Sequence, residues 1–356
     1  MDDAASRNEK STRIPIGKGI PVPSGKENTV VERDKYQLAE LDRIERTKPT
    51  SNVKQRDSFS SQLLYPADYR DDLLIIESER DIRSPRLSSD FLKKHINAEQ
   101  RRLVVNFLLH LGTHCRYSTH AVYESVKLFD VVMDKMSVDT AFIQMSALAS
   151  LWIILKKQQN FDDIPTATTM VSYAKELYAG REDLLKEYER KILQALNFNL
   201  TFADPYSMLA HHLNRLWSYL HLSDQTMTFL YNCGCYLIDI TLLDEHFCRM
   251  YANLLVLTVT ELVLGLVLDT VVVDASPRWL FWRSLIISDA AHLIGWFREE
   301  EIDRTRVKIL QCLLDSRKKL YNVVYKKYSR TRHGRVAKSF FERATNLSIA
   351  ETFHDT

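Results

Sequence analysis

Proline sets the strongest limit on what this chain can fold into. Six of its nine prolines (positions 15, 21, 23, 49, 66 and 85) lie in the first 85 residues. Beyond residue 86 only Pro165, Pro205 and Pro277 remain. A proline inside a helix removes a hydrogen bond and clashes with the preceding turn. Its scarcity after residue 86 permits long helices, and each remaining proline suits a first helical turn.

Apolar periodicity fills those stretches with helices. The run RRLVVNFLLHLG places apolar residues around most of a helix over 98–114. Ser118–Thr119 can cap the next helix, whose apolar face holds Val122, Val126, Leu128, Phe129 and Val132. A third helix starts at Ser137–Asp139 and runs to Lys157. Pro165 opens a fourth, to Ala179, and Gly180 punctuates before a fifth at 182–197. Further helices are expected at 205–219, 223–241, 246–268, 277–287 and 301–326. Strand alternation appears only near 271–274. The fold class is therefore all-α. Residues 1–62 are polar, mixed in charge and rich in Ser, Lys and Glu. They cannot bury enough apolar surface to offset chain entropy, so a disordered tail is expected, with at most a short helix at 34–46.

The 356 residues carry 48 Lys+Arg against 46 Asp+Glu, a net charge of +2. No strong field for nucleic acid follows from that balance. The odd count of five cysteines (Cys115, Cys233, Cys235, Cys248 and Cys312), mostly in apolar stretches, points to buried thiols in a reduced compartment. No secretory leader is expected, because residues 1–14 are polar and charged. The apolar segment from Tyr251 to Asp274 contains Glu261 and Asp269, both costly in lipid, so it reads as a buried central helix. His110, His114 and Cys115 lie close together, but no third and fourth metal ligand can be identified. No phosphate loop, zinc-protease helix or nucleophile elbow occurs, and no cofactor is implied.

Two charges stand out. Lys156 closes the run Met145-Ser-Ala-Leu-Ala-Ser-Leu-Trp-Ile-Ile-Leu155, and Glu189 opens Glu189-Arg-Lys-Ile-Leu-Gln-Ala-Leu-Asn-Phe198. Ionised groups beside apolar helix faces need partners. A surface that grips another protein is one reading; a solvated helix-end cation and a surface glutamate are the other.

A set of motifs then resembles the cyclins, and among them the A- and B-type mitotic group. Asp68-Tyr69-Arg-Asp-Asp72-Leu73 resembles D-Y-x-x-D-I, and Phe91-Leu-Lys-Lys94 resembles Y-M-K-K. Arg101-Arg-Leu-Val-Val-Asn-Phe107-Leu is similar to M-R-x-I-L-V-D-W-L, with Gln100 in the methionine place and Phe107 in that of tryptophan. Leu128-Phe-Asp130 resembles the second-helix core. Leu151-Trp-Ile-Ile-Leu-Lys156 stands in place of A-x-x-x-A-S-K, with Ile154 and Leu155 for small residues. Gln158 and Gln159 replace an acidic pair, and extra residues around Asn160–Asp163 lengthen the next loop. ERKILQALNFNL (189–200), LIDITLLD (237–244) and the tail Tyr325-Lys-Lys-Tyr328…Val336-Ala complete a likeness covering 66–338.

The resemblance implies two tandem five-helix cyclin boxes at 98–202 and 203–326. A disordered regulatory tail (1–62) and a short helical lead-in (63–97) precede them, and a C-terminal tail (327–356) follows. It implies a non-catalytic subunit that binds and activates a cyclin-dependent kinase, working in nucleus and cytoplasm in mitotic or meiotic control. Leu73, Ile76, Lys156, Glu189 and Phe198 would contact the kinase. Gln100, Leu103, Val104, Phe107, His110, Ile143 and Gln144 would form a groove for arginine-x-leucine peptides of substrate or inhibitor proteins. His110 stands there for an acidic residue and cannot pair with the peptide arginine, so docking is expected to be weak or altered; Leu103, Val104 and Phe107 read equally well as core. Lys26-Glu27-Asn28 forms the KEN triplet read by the anaphase-promoting ubiquitin ligase. Ser84-Pro85 is a candidate for proline-directed phosphorylation beside Arg83 and Arg86. No membrane or nucleic-acid partner is expected. A cyclin-fold adaptor without kinase activation, and a transcription-factor-type paired cyclin fold, remain as alternatives.

Overall fold

A computed structural model describes residues 70–220, 222–268, 280–287, 297–317 and 323–354. All of them belong to the compact unit Ser51–Thr356. The expected tail, the KEN triplet, the helix at 34–46 and the alternation at 271–274 lie outside the described residues.

Every regular element among the described residues is helical. The helices are α1 (Arg70–Arg83), α2 (Phe91–Lys94), α3 (Ala98–Cys115), α4 (Thr119–Lys135), α5 (Ile143–Gln158), α6 (Ala167–Ser172) and α7 (Glu182–Ala195). They continue with α8 (Pro205–Leu220), α9 (Asp224–Thr241), α10 (Ala252–Val267), α11 (Glu299–Asp315), α12 (Val323–Tyr328) and α13 (Val336–His354). Residues 280–287 are also helical.

The helices pack as two successive sets, each around one apolar helix. In the first, α5 lies against α3, α4 and α7, and every residue from Met145 to Leu155 is buried. Small side chains at Ser146, Ala147, Ala149 and Ser150 let neighbours approach. Buried hydroxyls are satisfied within the helix, as where Ser150 donates to the Ser146 carbonyl at 2.8 Å. In the second set, α10 packs against α8, α9, α11 and α13, and every residue from Leu254 to Leu266 is buried. Among the described residues a glycine marks a close helix crossing in each set. A Cβ on Gly112 would stand 2.3 Å from Val122 Cγ2, and one on Gly234 would stand 2.3 Å from Leu209 Cδ2.

Helix starts follow local chemistry. Asn97 and Gln100 form a reciprocal capping box on α3 at 2.8 and 3.1 Å. Ser118 caps α4, accepting from Ala121 N at 3.1 Å. Other boundaries differ from expectation. Asp139 caps a 3₁₀ turn, Thr140–Phe142, before α5 begins. The helix expected from Pro165 to Ala179 is broken. Thr166 caps the short α6, and Lys175 takes a left-handed backbone (φ 55°) into the 3₁₀ turn Lys175–Tyr178. Ties to α5 and to the turn before it hold that shape: Trp152 Nε1 donates to Pro165 O at 2.8 Å and Tyr178 donates to Ala141 O at 2.8 Å. The helix expected at 246–268 starts only at Ala252, because Asp244 caps a separate turn, Glu245–Phe247. The one expected at 301–326 is two helices, α11 and α12. In the segment expected as a C-terminal tail, α13 buries Val336, Ala337, Phe340 and Ala344 against the second set.

Among the described residues no helix is long and apolar enough to cross a membrane. Glu261, wholly buried in α10, is held by Arg283 at 3.1 Å and by Arg306. Helix α1 packs on α8 and α10 of the second set. Leu74 is buried, Glu77 accepts from Asp204 N at 2.8 Å, and Asp81 accepts from Asn253 N at 2.9 Å. Asp81 thereby caps the first turn of α10, whose own preceding residue, Tyr251, offers no side-chain cap.

Candidate functional site

The last turn of α5 carries the candidate site. Apolar burial fixes the helix up to Leu155, and the chain then turns polar at Lys156-Lys157-Gln158. Cations are favoured there by the partial negative charge of the helix C-terminus. Lys156 and Trp152 are one turn apart on the same face, and the ammonium sits 3.3 Å from the Trp152 ring centroid. The same ammonium donates to both Glu189 oxygens, at 2.7 and 2.8 Å. The two charges singled out in the sequence are therefore each other's partners, bridging α5 and α7. The Lys156 side chain remains 35% exposed and that of Glu189 18% exposed, so an approaching protein can reach both.

The neighbouring residues point the other way. Lys157 donates to both oxygens of the buried Glu124 on α4, at 3.0 Å each, and to Leu200 O at 2.9 Å. Gln158 donates to Glu124 at 2.7 Å. His120 lies 3.5 Å from Glu124 and 3.2 Å from Asp204. Burial alone would lower the His120 pKa, but the Asp204 and Glu124 carboxylates outweigh it and raise it above the ordinary value. With burial opposing, His120 in turn holds Asp204 below the usual carboxylate range. Trp152, Glu124, Lys157, His120 and Asp204 were not singled out by sequence reasoning. Glu124 did carry a signal, being a carboxylate between Tyr123 and Ser125 on a helix that is otherwise apolar there.

The other residues expected at this surface are apolar. Phe198 is 69% exposed with a left-handed backbone (φ 57°), two residues before the Leu200 carbonyl that Lys157 holds. Ile76 on α1 is 44% exposed and Leu73, one turn earlier, is half-buried. The Glu77–Asp204 bond fastens that helix close to the 198–203 strap.

The residues expected to form a peptide groove lie on α3 and at the start of α5, which pack together. Leu103 is exposed, while Val104, Phe107, His110 and Gln144 are half-buried. Ile143 is buried, which makes it floor rather than rim. Gln100 is exposed, but its amide oxygen is engaged in capping α3. Ser84 is half-buried after α1 and donates to Arg80 O at 2.8 Å. Among the described residues no group of three or more His, Cys, Asp or Glu side chains is placed to hold a metal ion.

Residues 73–201 match the family described as "Cyclin, N-terminal domain". Cyclin-B2-1 of Arabidopsis thaliana is 21% identical over 94% of this chain and 71% of its own length. The G2/mitotic-specific cyclin cig1 of Schizosaccharomyces pombe is 22% identical over 69% of this chain, and cyclin puc1 of the same yeast is 26% identical over 41%. The matched stretch spans 52% of cig1 and 40% of puc1. A solved viral cyclin from herpesvirus saimiri superposes on 67% of this chain and 97% of its own, with 13% identity and a TM-score of 0.49. The chain is thus similar to the cyclin N-terminal domain over residues 73–201 and, at lower identity, to cyclins over more of its length.

Proposed function

We propose that this chain is the regulatory subunit of a cyclin-dependent kinase, of the A- and B-type group, acting in mitotic or meiotic control. The observation that carries this reading is the state of Lys156. It is held between the Trp152 ring and the Glu189 carboxylate, yet exposed at the end of a helix buried from Met145 to Leu155. Ile76 and Phe198 are exposed apolar side chains that can serve as anchors. Such a wall can favour one of two kinase arrangements by binding it better, the requirement for activation without catalysis by the cyclin itself. The match of residues 73–201 to the cyclin N-terminal domain supports the reading, as do relatives that include a G2/mitotic-specific cyclin.

The test is binding and activation of purified cell-cycle cyclin-dependent kinases by the full chain. Wild type is expected to bind at least one and raise its activity. Lys156→Ala with Glu189→Ala is expected to lose about 2–5 kcal/mol of binding. Equal binding by both would remove these residues from the interface.

Turnover through Lys26-Glu27-Asn28 by the anaphase-promoting ubiquitin ligase belongs to the same reading, as does action in nucleus and cytoplasm. So do weak docking of arginine-x-leucine peptides along α3 and phosphorylation of Ser84. One observation favours a second reading, an adaptor that no longer activates a kinase. Gln158, which stands for an acidic residue of the family pattern, is committed to Glu124. Kinase binding without activation would support that alternative.

A further inference from the structure

Phe161 is 89% exposed, more than any other large apolar side chain among the described residues. Leaving an aromatic ring in water forfeits what its burial would contribute to folding. The ring is nevertheless not on a loose loop. It opens a 3₁₀ turn closed by Asp163 N donating to Asn160 O at 3.0 Å and Ile164 N donating to Phe161 O at 3.3 Å. Upstream, Gln159 N still donates to Leu155 O at 2.9 Å. Downstream, Ile164 packs on the core, Trp152 Nε1 holds Pro165 O, and Thr166 caps α6. The turn is fastened at both ends and presents the ring outward.

Its position is continuous with the Lys156 site. Phe161 follows Lys156 by five residues, so their Cα atoms are at most about 18 Å apart. Trp152, whose ring lies under Lys156, is the same residue that ties down the far end of the turn. Phe198 stands near the same end of α5 through the Lys157–Leu200 bond. The turn also carries charge. Gln158 and Gln159 are neutral, so the acidic groups following α5 are the exposed Asp162 and Asp163.

We propose that Phe161, flanked by Asp162 and Asp163, is an additional anchor that selects among protein kinases. It would insert into an apolar pocket beside a basic side chain on the lobe that meets Lys156 and Glu189. The proposal rests on the kinase reading above, and adds that the turn Phe161–Asp163 narrows the choice of kinase.

The experiment measures affinities of the full chain for a panel of purified cell-cycle cyclin-dependent kinases. Phe161→Ala is expected to weaken the preferred kinase about ten-fold or more and to narrow its margin over the others. Phe161→Leu is expected to retain most of the affinity. Asp162→Asn with Asp163→Asn is expected to slow association, with a smaller salt dependence than wild type. Thermal midpoints should not move, since the ring is exposed. A thiol-reactive probe on Phe161→Cys should label more slowly once the kinase is bound. Unchanged affinities for Phe161→Ala, where Lys156→Ala/Glu189→Ala loses binding, would overturn the inference and leave the kinase reading intact. If no kinase binds, both fail; if a kinase binds but responds to neither variant, the inference fails and Lys156 and Glu189 leave the interface. Concentration-dependent dimerisation abolished by Phe161→Ala would assign the ring to a second copy of this chain and also overturn the proposal.

Discussion

Glu261 shows what an ionised side chain requires inside an apolar helix. It is wholly buried, and Arg283 and Arg306 neutralise it, with Asp303 bridging those arginines at 2.5 and 2.9 Å. Glu261→Ala would leave Arg283 buried without its main partner and should cost about 3–5 kcal/mol in urea denaturation. His333 is a second sensitive residue. Burial, then Lys327 and Arg332, lowers its pKa to about 3, and its neutral ring accepts from Arg332 at 3.1 Å. Below the ordinary value of 6.5 the unfolded chain takes up a proton that the folded chain refuses, so stability falls as pH drops from about 6.5. His120 works in the opposite sense. Its raised pKa contributes stability that is present below 6.5 and lost as pH rises through the folded value. Denaturation midpoints between about pH 4 and 8 should therefore show less acid loss in His333→Gln and less alkaline loss in His120→Gln. Lys156 and Glu189 were legible in the sequence because each is a charge at the edge of an apolar run. That they pair with each other was not, since 33 residues of chain separate them and either could have faced solvent.

At the scale of elements, α1 depends on two carboxylates that reach other helices. Burial pushes both Glu77 and Asp81 above the usual carboxylate range, against the backbone hydrogen bonds they accept. Asp81→Ala removes the cap of α10 and should cost about 0.5–2 kcal/mol. Amide hydrogen exchange in α1 should rise with it, while exchange in α5 stays unchanged. Helix identity was readable from periodicity and proline spacing. Helix ends were readable where a Ser, Thr or Asn cap precedes the helix, as at Asn97, Ser118 and Ser223. They were not readable where distant partners decide. The break after α6 depends on Trp152 of α5 reaching Pro165 and on Tyr178 reaching Ala141, and the start of α10 depends on an aspartate 172 positions away.

For the molecule as a whole, buried polar links join the two helix sets. Arg101 makes two 2.7 Å bonds to Asp130 and a 2.9 Å bond to Leu242 O. Lys127 donates to Cys248 O at 2.9 Å. Asp239 accepts from Tyr206 at 2.6 Å and from Lys327 at 3.0 Å, and Lys327 reaches Thr119 at 3.3 Å. These links should make described residues of both sets unfold together in denaturant. Arg101→Ala strands Asp130 in the interior and is expected to cost about 3–5 kcal/mol and to separate the transitions reported by probes in each set.

The burial of α5 from Met145 to Leu155 has a further consequence. A helix walled in by α3, α4 and α7 cannot roll or slide without repacking its neighbours, which resists displacement of its final turn. A protein docking there meets a hard die. Little ordering entropy is charged to this side of the complex, and the reshaping falls on the newcomer.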